Sequence, residues 1–163
     1  MKTLGLVVLL AAWATAACIG EDNWTTDFEA AKKAAKETGR PILADFSGSD
    51  WCGWCIKLDK EVFSKEEFKT YAKDSLVLFL ADFPRRKLPE SLAKKNQALA
   101  EKFGIEGFPT VLVLDADGKE MARTGYQPGG AKAYVEHLKA LVGQPKKTVD
   151  KESKADKSAE EKK

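Results

Sequence analysis

Cysteine, histidine and methionine are all scarce in this chain of 163 residues, at three, one and two. That scarcity argues against a zinc or a copper centre. A tetrahedral zinc site draws four ligands, mostly from cysteine and histidine. Beyond Cys52 and Cys55 the chain offers only Cys18 near its start and His137 on the flank of an amphipathic segment. A copper site asks for a soft third partner, and Met121 is the only methionine besides Met1. Neither is therefore expected, and no other metal or prosthetic group is expected either. An excess of one charge is also missing: 27 Lys and Arg stand against 25 Asp and Glu, a net +2. Such a balance argues against nucleic acid, or any other strongly anionic molecule, as a partner. Long apolar runs are lacking too. The run from Leu4 to Ala12 is too short to cross a bilayer as a stable helix.

The two ends read as something other than fold. Lys2, the apolar run and the small residues Ala14, Thr15, Ala16 and Ala17 make residues 1–18 a secretory signal peptide, and export follows from it. Two readings of Cys18 stay open. It follows Thr-Ala-Ala as the acylated cysteine of a bacterial lipoprotein does, giving a lipid anchor. Ala14-Thr15-Ala16 equally fits ordinary cleavage, giving a free secreted or periplasmic protein. At the other end, residues 144–163 (QPKKTVDKESKADKSAEEKK) hold no aromatic residue and a single branched aliphatic, Val149. A segment that poor in apolar surface cannot offset chain entropy, so a disordered, charged tail is expected. Between them, residues 25–143 form one domain of about 120 residues, enough for a single core.

Within that domain the pattern alternates. Thr26 and Glu29 stand at capping-box spacing ahead of an alanine-rich helix that stops at Gly39. PILADFS reads as a strand buried on both faces. IKLDKEVF suggests helix, and Ser64 with Glu67 marks another capped helix. SLVLFLADF is a second buried strand. ESLAKKNQALAEKFG lines Leu92, Leu99 and Phe103 along one helical face. PTVLVLDADGKEMARTG reads as two strands turning at Asp117-Gly118. A last helix carries Tyr134, Leu138, Leu141 and Val142 in a stripe. Strands connected through helices are expected to be parallel and the closing hairpin antiparallel, in a mixed α/β sheet with helices on both faces.

Two of the three cysteines sit in SGSDWCGWCIK, Ser47 to Lys57. A structural clamp between Cys52 and Cys55 would close a loop of two residues and remove little entropy from the unfolded chain. Redox chemistry suits the spacing better. The pair leaves a strand and opens a helix, where free amide groups and the helix dipole favour an anion. Cys52, the first of the pair, is expected to hold its thiol below the ordinary range and to attack. Cys55, one turn on, reaches back to resolve the mixed disulfide.

WCGWC, preceded by a strand with Ala44-Asp45-Phe46 and followed by GIEGFPTVLVLDADGK, resembles the thioredoxin superfamily, closest to its exported thioredoxin-like branch with a WCGWC site. The resemblance covers about Thr25 to Val142 and implies a thioredoxin fold in its minimal form, with a mixed four-stranded sheet. It implies a thiol-disulfide oxidoreductase acting on disulfide-containing protein substrates in a cell envelope. It also implies a membrane electron carrier as donor or acceptor. Cys52 resembles the attacking thiol, Cys55 the resolving one, and Pro109 the cis-proline whose loop, with Phe108, holds substrate. Asp45 resembles the buried acid that moves protons for the resolving cysteine, although SGSD lengthens the usual spacing by one residue. Trp51 and Trp54 flank the cysteines as substrate contacts; Trp54 replaces the proline of thioredoxin. Asp50 adds a charge that opposes the thiolate modestly. The DFPRRKLPE loop is longer than its thioredoxin counterpart, and Arg85, Arg86 and Lys87 make it a solvated basic loop or a docking element. The rival from another class is a non-catalytic binding or chaperone-like module on the same fold.

Overall fold

The computed structural model describes residues 23–143. The expected signal peptide at 1–18, Cys18 within it, and the tail at 144–163 lie outside the described residues. Elements run β1 (Trp24–Thr25), α1 (Phe28–Thr38), β2 (Ile42–Ser47) and α2 (Gly53–Leu58), which continues through a π-helical turn (Asp59–Phe63). Then come α3 (Glu66–Ser75), β3 (Val77–Asp82), α4 (Glu90–Lys102), β4 (Thr110–Leu114), β5 (Glu120–Thr124) and α5 (Gly130–Val142).

The sheet orders its strands β1-β3-β2-β4-β5. It therefore has five strands and not four: Trp24 and Thr25 pair in parallel with Leu78 and Phe79 at the edge. Only two residues long, β1 has no alternation of its own to reveal it. The directions correct a second expectation. β2 and β3 are parallel as their helical crossover requires, but β4 enters antiparallel to β2 although a helix, α4, leads to it. The crossover rule binds only when a helix returns the chain to the same end of the sheet. The β4–β5 hairpin turns over Asp115–Lys119. There the Asp115 carboxylate accepts from the amides of Asp117 and Lys119, and Gly118 takes φ +77°, where a side chain would be strained.

Strand alternation divides the core in two. Leu43, Leu78, Val111 and Val113 pack with Leu58, Val62, Phe68, Tyr134 and Leu138 on one face. Ile42, Phe46, Phe79, Leu112 and Leu114 pack with Phe28, Ala31 and Phe103 on the other. Every residue of β2 is buried, as a strand sandwiched between helical layers must be. Leu112 has no exposed surface, so Leu112→Ala is expected to cost about 3 kcal/mol, read as a lowered urea midpoint with an unchanged slope.

Two helix starts differ from their sequence signals. Asp27, not Thr26, caps α1 and accepts from the amides of Glu29 and Ala30. The stop at Gly39 is as read, with φ +69°. Ser64 does not cap α3, which begins after Lys65 without a side-chain cap; its hydroxyl instead donates to the Asp59 carbonyl of the π-helical turn. His137 holds Thr124 through its Nε2, 2.9 Å from Oγ1, which binds α5 to β5.

Candidate active site

The exit of β2 builds the site. Ser47 pairs in register with Asp82, so both parallel strands end side by side, and the Phe83 amide donates to the Ser47 carbonyl at 2.7 Å. The chain then turns on Gly48, whose carbonyl accepts from the amides of Trp51 and Cys52. Asp82 fastens this turn from the neighbouring strand, accepting from the Ser49 amide at 3.0 Å and the Ser49 hydroxyl at 2.7 Å. Asp50 fastens it from the outside, accepting from the amides of Arg85 and Arg86. These bonds, led by that from Arg85, hold the Asp50 carboxyl below the usual carboxylate range. The Asp50 charge thus faces the 83–88 loop.

Cys52 occupies the cap position of α2 with extended backbone angles, and the Cys55 amide donates to its sulfur at 3.2 Å. The two sulfurs are joined as a disulfide, with Cα atoms 5.2 Å apart. The Gly48 amide lies 3.5 Å from the Cys55 sulfur. Each sulfur therefore has a backbone donor on it, and neither cysteine is more than slightly exposed. A thiolate at Cys52 would keep the Cys55 amide and add the field of the helix start, which is the arrangement that favours the anion.

Aromatic rings wall the pair on two sides. Trp51 is anchored by its indole N–H to the Phe83 carbonyl at 2.7 Å, and its ring meets that of Phe108 edge-on with centroids 6.0 Å apart. Phe108 in turn lies 5.0 Å from Phe83. The Phe108–Pro109 peptide is cis, directly before β4, whose first residue Thr110 pairs with Phe46 near the exit of β2. Trp54 stands on the other side, 57% exposed, against Tyr126 at 5.1 Å, with Lys57 over both rings. The Tyr126 hydroxyl donates to Glu61 at 2.7 Å.

Asp45 is buried in the middle of β2, and its Oδ1 has no hydrogen-bond partner. Burial, with the like charges of Asp59 and Asp82, pushes its carboxyl up to about 8. The same face holds Tyr134, whose hydroxyl donates to the Gly125 carbonyl and whose ionisation is pushed well up by burial and by Asp45.

Cys52, Cys55, Trp51, Phe108 and Pro109 thus gather at one end of the sheet, Trp54 stands on the far flank, and Asp45 lies in the layer beneath. Three participants escaped the sequence reading: Phe83, Tyr126 and the Ser49–Asp82 clasp. Asp82 ends a buried strand that Phe83 and Pro84 follow, and only the register of that strand against β2 brings them to the cysteines. Among the described residues no cluster of three or more His, Cys, Asp or Glu is arranged to hold a metal ion.

A strand–turn–helix that presents two bonded cysteines beside a cis-proline loop defines a dithiol–disulfide protein. Comparison with known proteins agrees. The family model for a thioredoxin-like domain matches residues 28–140. The disulfide bond reductase DsbH of Chlamydia pneumoniae is 40% identical over 121 residues, which cover 74% of this chain and 72% of that protein. The thioredoxin-related protein DsbJ of the same organism is 34% identical over 103 residues, which are 63% of this chain but 30% of that longer protein. A solved structure of DsbH oxidoreductase superposes with a TM-score of 0.70 at 35% identity, covering 85% of this chain and 94% of the other. The chain belongs to the thioredoxin-like domain family and is a thiol-disulfide oxidoreductase.

Proposed function

We propose that the protein reduces protein disulfides in a cell envelope. The observation that carries this reading is the Cys52 sulfur at the head of α2, holding the Cys55 amide and bonded to the Cys55 sulfur. In the working cycle the Cys52 thiolate attacks one sulfur of a substrate disulfide and expels the other as a thiolate. Cys55 then attacks the Cys52 sulfur, releasing the second substrate thiol and closing the protein's own disulfide. Two electrons pass to the substrate, and a membrane-associated dithiol returns them. Asp45, in its ionised form, takes the proton from Cys55 as it attacks. Trp51, Trp54 and the Phe108–Pro109 loop contact the substrate chain.

Direction and place rest on two supports. The relative at 40% identity bears the name disulfide bond reductase. Residues 1–18 have the order of charge, apolar run and small residues that sends a chain across a membrane. In this reading residues 25–143 are the working domain, 144–163 a charged tail, and Cys18 either an acylated tether or part of an ordinarily cleaved leader. No helix among the described residues is long and apolar enough to cross a membrane.

The Cys52–Cys55 potential, measured by equilibration with glutathione buffers, tests the direction. A reductase is expected to lie at about −270 mV or below, while a value near about −120 mV would make the protein an oxidant and end this reading.

A further inference from the structure

Beside the aromatic wall a second feature opens that the redox cycle does not use. The loop from Phe83 to Pro89 and the outer side of α4 enclose a cleft of about 430 Å³. Phe83, Pro84, Leu88 and Ala93 give it an apolar lining, which the ion pairs Asp82–Arg86 and Glu90–Lys94 complete. The cleft adjoins the active site, because Phe83 lines it and also carries Phe108 against its ring. At its floor Asn96 donates to the Asp82 carbonyl but keeps a buried carbonyl oxygen without a donor. A bound chain that parts the cleft can supply the missing N–H.

The charges that line the cleft balance, but those of the loop beside it do not. The 83–89 segment holds Arg85, Arg86 and Lys87 and no acidic residue. The nearby carboxylates are already engaged. Asp50 is taken by two loop amides, Asp82 by Ser49 with Arg86 at 3.5 Å, and Glu90 by Lys94. Arg85 rests on the Trp51 ring, 5.9 Å from its centroid, and among the described residues neither it nor Lys87 has a carboxylate partner.

We propose that this cleft is a second subsite for the protein substrate. It takes an apolar side chain displaced along the chain from the substrate cysteine, with acidic residues next to it facing the loop cations. The proposal rests on the reductase reading and deepens it by naming the substrate class: disulfides in segments that join a large aliphatic residue to aspartate or glutamate. The subsite is built from the 83–89 loop and α4 and includes neither cysteine, so it selects substrates without altering the chemistry.

Single-turnover oxidation of the reduced protein tests this and needs no electron donor. Three disulfides are compared: a synthetic disulfide-linked peptide with one leucine and two glutamates beside its cysteine, the same peptide with lysines in place of the glutamates, and the small neutral dithiodipyridine. The wild type is expected to half-saturate at about tenfold lower concentration with the glutamate peptide than with the lysine peptide. Ala93→Trp, which fills the cleft from an exposed helix position, is expected to raise the half-saturation of the glutamate peptide about tenfold. Lys87→Glu, which reverses a charge on the loop beside the cleft, is expected to raise it severalfold. Reaction with dithiodipyridine stays within about twofold in both variants. Equal saturation by the two peptides, or a glutamate peptide indifferent to Ala93→Trp, overturns the subsite. A wild type that fails to react even with dithiodipyridine overturns the reading of the cysteine pair itself.

Discussion

Cys52→Ser is expected to abolish disulfide exchange with a protein substrate, a loss of about a thousandfold or more, because a hydroxyl at neutral pH offers neither the anion nor the polarisable sulfur that the attack requires. Cys55→Ser is expected to behave differently. It should still attack, then stall, leaving the substrate bonded to Cys52 as a species visible on a non-reducing gel and locatable by mass spectrometry. The asymmetry comes from the turn. Cys52 stands at the cap position, where its sulfur receives the Cys55 amide, while Cys55 lies inside the first turn with Gly48 on its sulfur. Alkylation of the reduced protein across a pH series should find one thiol reactive well below the pH of a small free thiol, and that thiol should be Cys52. Substrate trapped on Cys55 in the Cys52→Ser variant would reverse the roles. The binding-module alternative predicts that Cys52→Ser leaves partner capture and phenotype intact, which the same variant settles.

The chemistry was legible because it is local. A pair at three-residue spacing, a Phe-Pro-Thr segment ahead of a buried strand and a turn at Asp117-Gly118 each carry their meaning within a few residues. What the sequence could not disclose depends on partners far along the chain. β1 exists because Leu78 and Phe79 offer it a free edge, and two residues are too few for the strand preference of Trp24 and Thr25 to announce it. The direction of β4 depends on where α4 delivers the chain. Ser64 has the residue type and spacing of a cap, yet the π-helical turn before it places the Asp59 carbonyl within reach of its hydroxyl first. The site shows the same division. Trp51 is recognisable beside Cys52, but the Phe83 carbonyl that fixes its indole comes from the end of another strand, 32 positions away. Tyr126 reaches Trp54 only because β5 returns along the sheet.

Asp45→Asn is expected to stabilise the protein, and by more as pH rises. In the unfolded chain an aspartate ionises near its ordinary 3.8, while in the fold Asp45 holds its proton until about 8. Between those values the unfolded state has lost a proton that the native state keeps, so stability falls as pH rises through the window and levels off above it. At about 1.36 kcal/mol per pH unit the ceiling on this loss at pH 7 is ~4 kcal/mol, with water penetration and relaxation reducing what is measured. An amide of the same shape stays neutral throughout. It loses no bond at Oδ1, where the carboxyl finds no partner. Urea unfolding of the oxidised proteins should therefore give curves that coincide near pH 4 and separate steadily to pH 8, the variant above. The cause lies in burial first and in the charges of Asp59 and Asp82 second. Replacing Asp82 alone should accordingly narrow the gap less than replacing Asp45 closes it. A carboxyl that titrates near the range of a thiol is matched to it as a base, and the ionised fraction present at neutral pH can take the Cys55 proton, so the variant should also resolve its mixed disulfides about tenfold or more slowly. Parallel pH profiles for the two proteins would mean that Asp45 is already ionised in the fold, and an unchanged rate of resolution would mean that the Cys55 proton goes elsewhere.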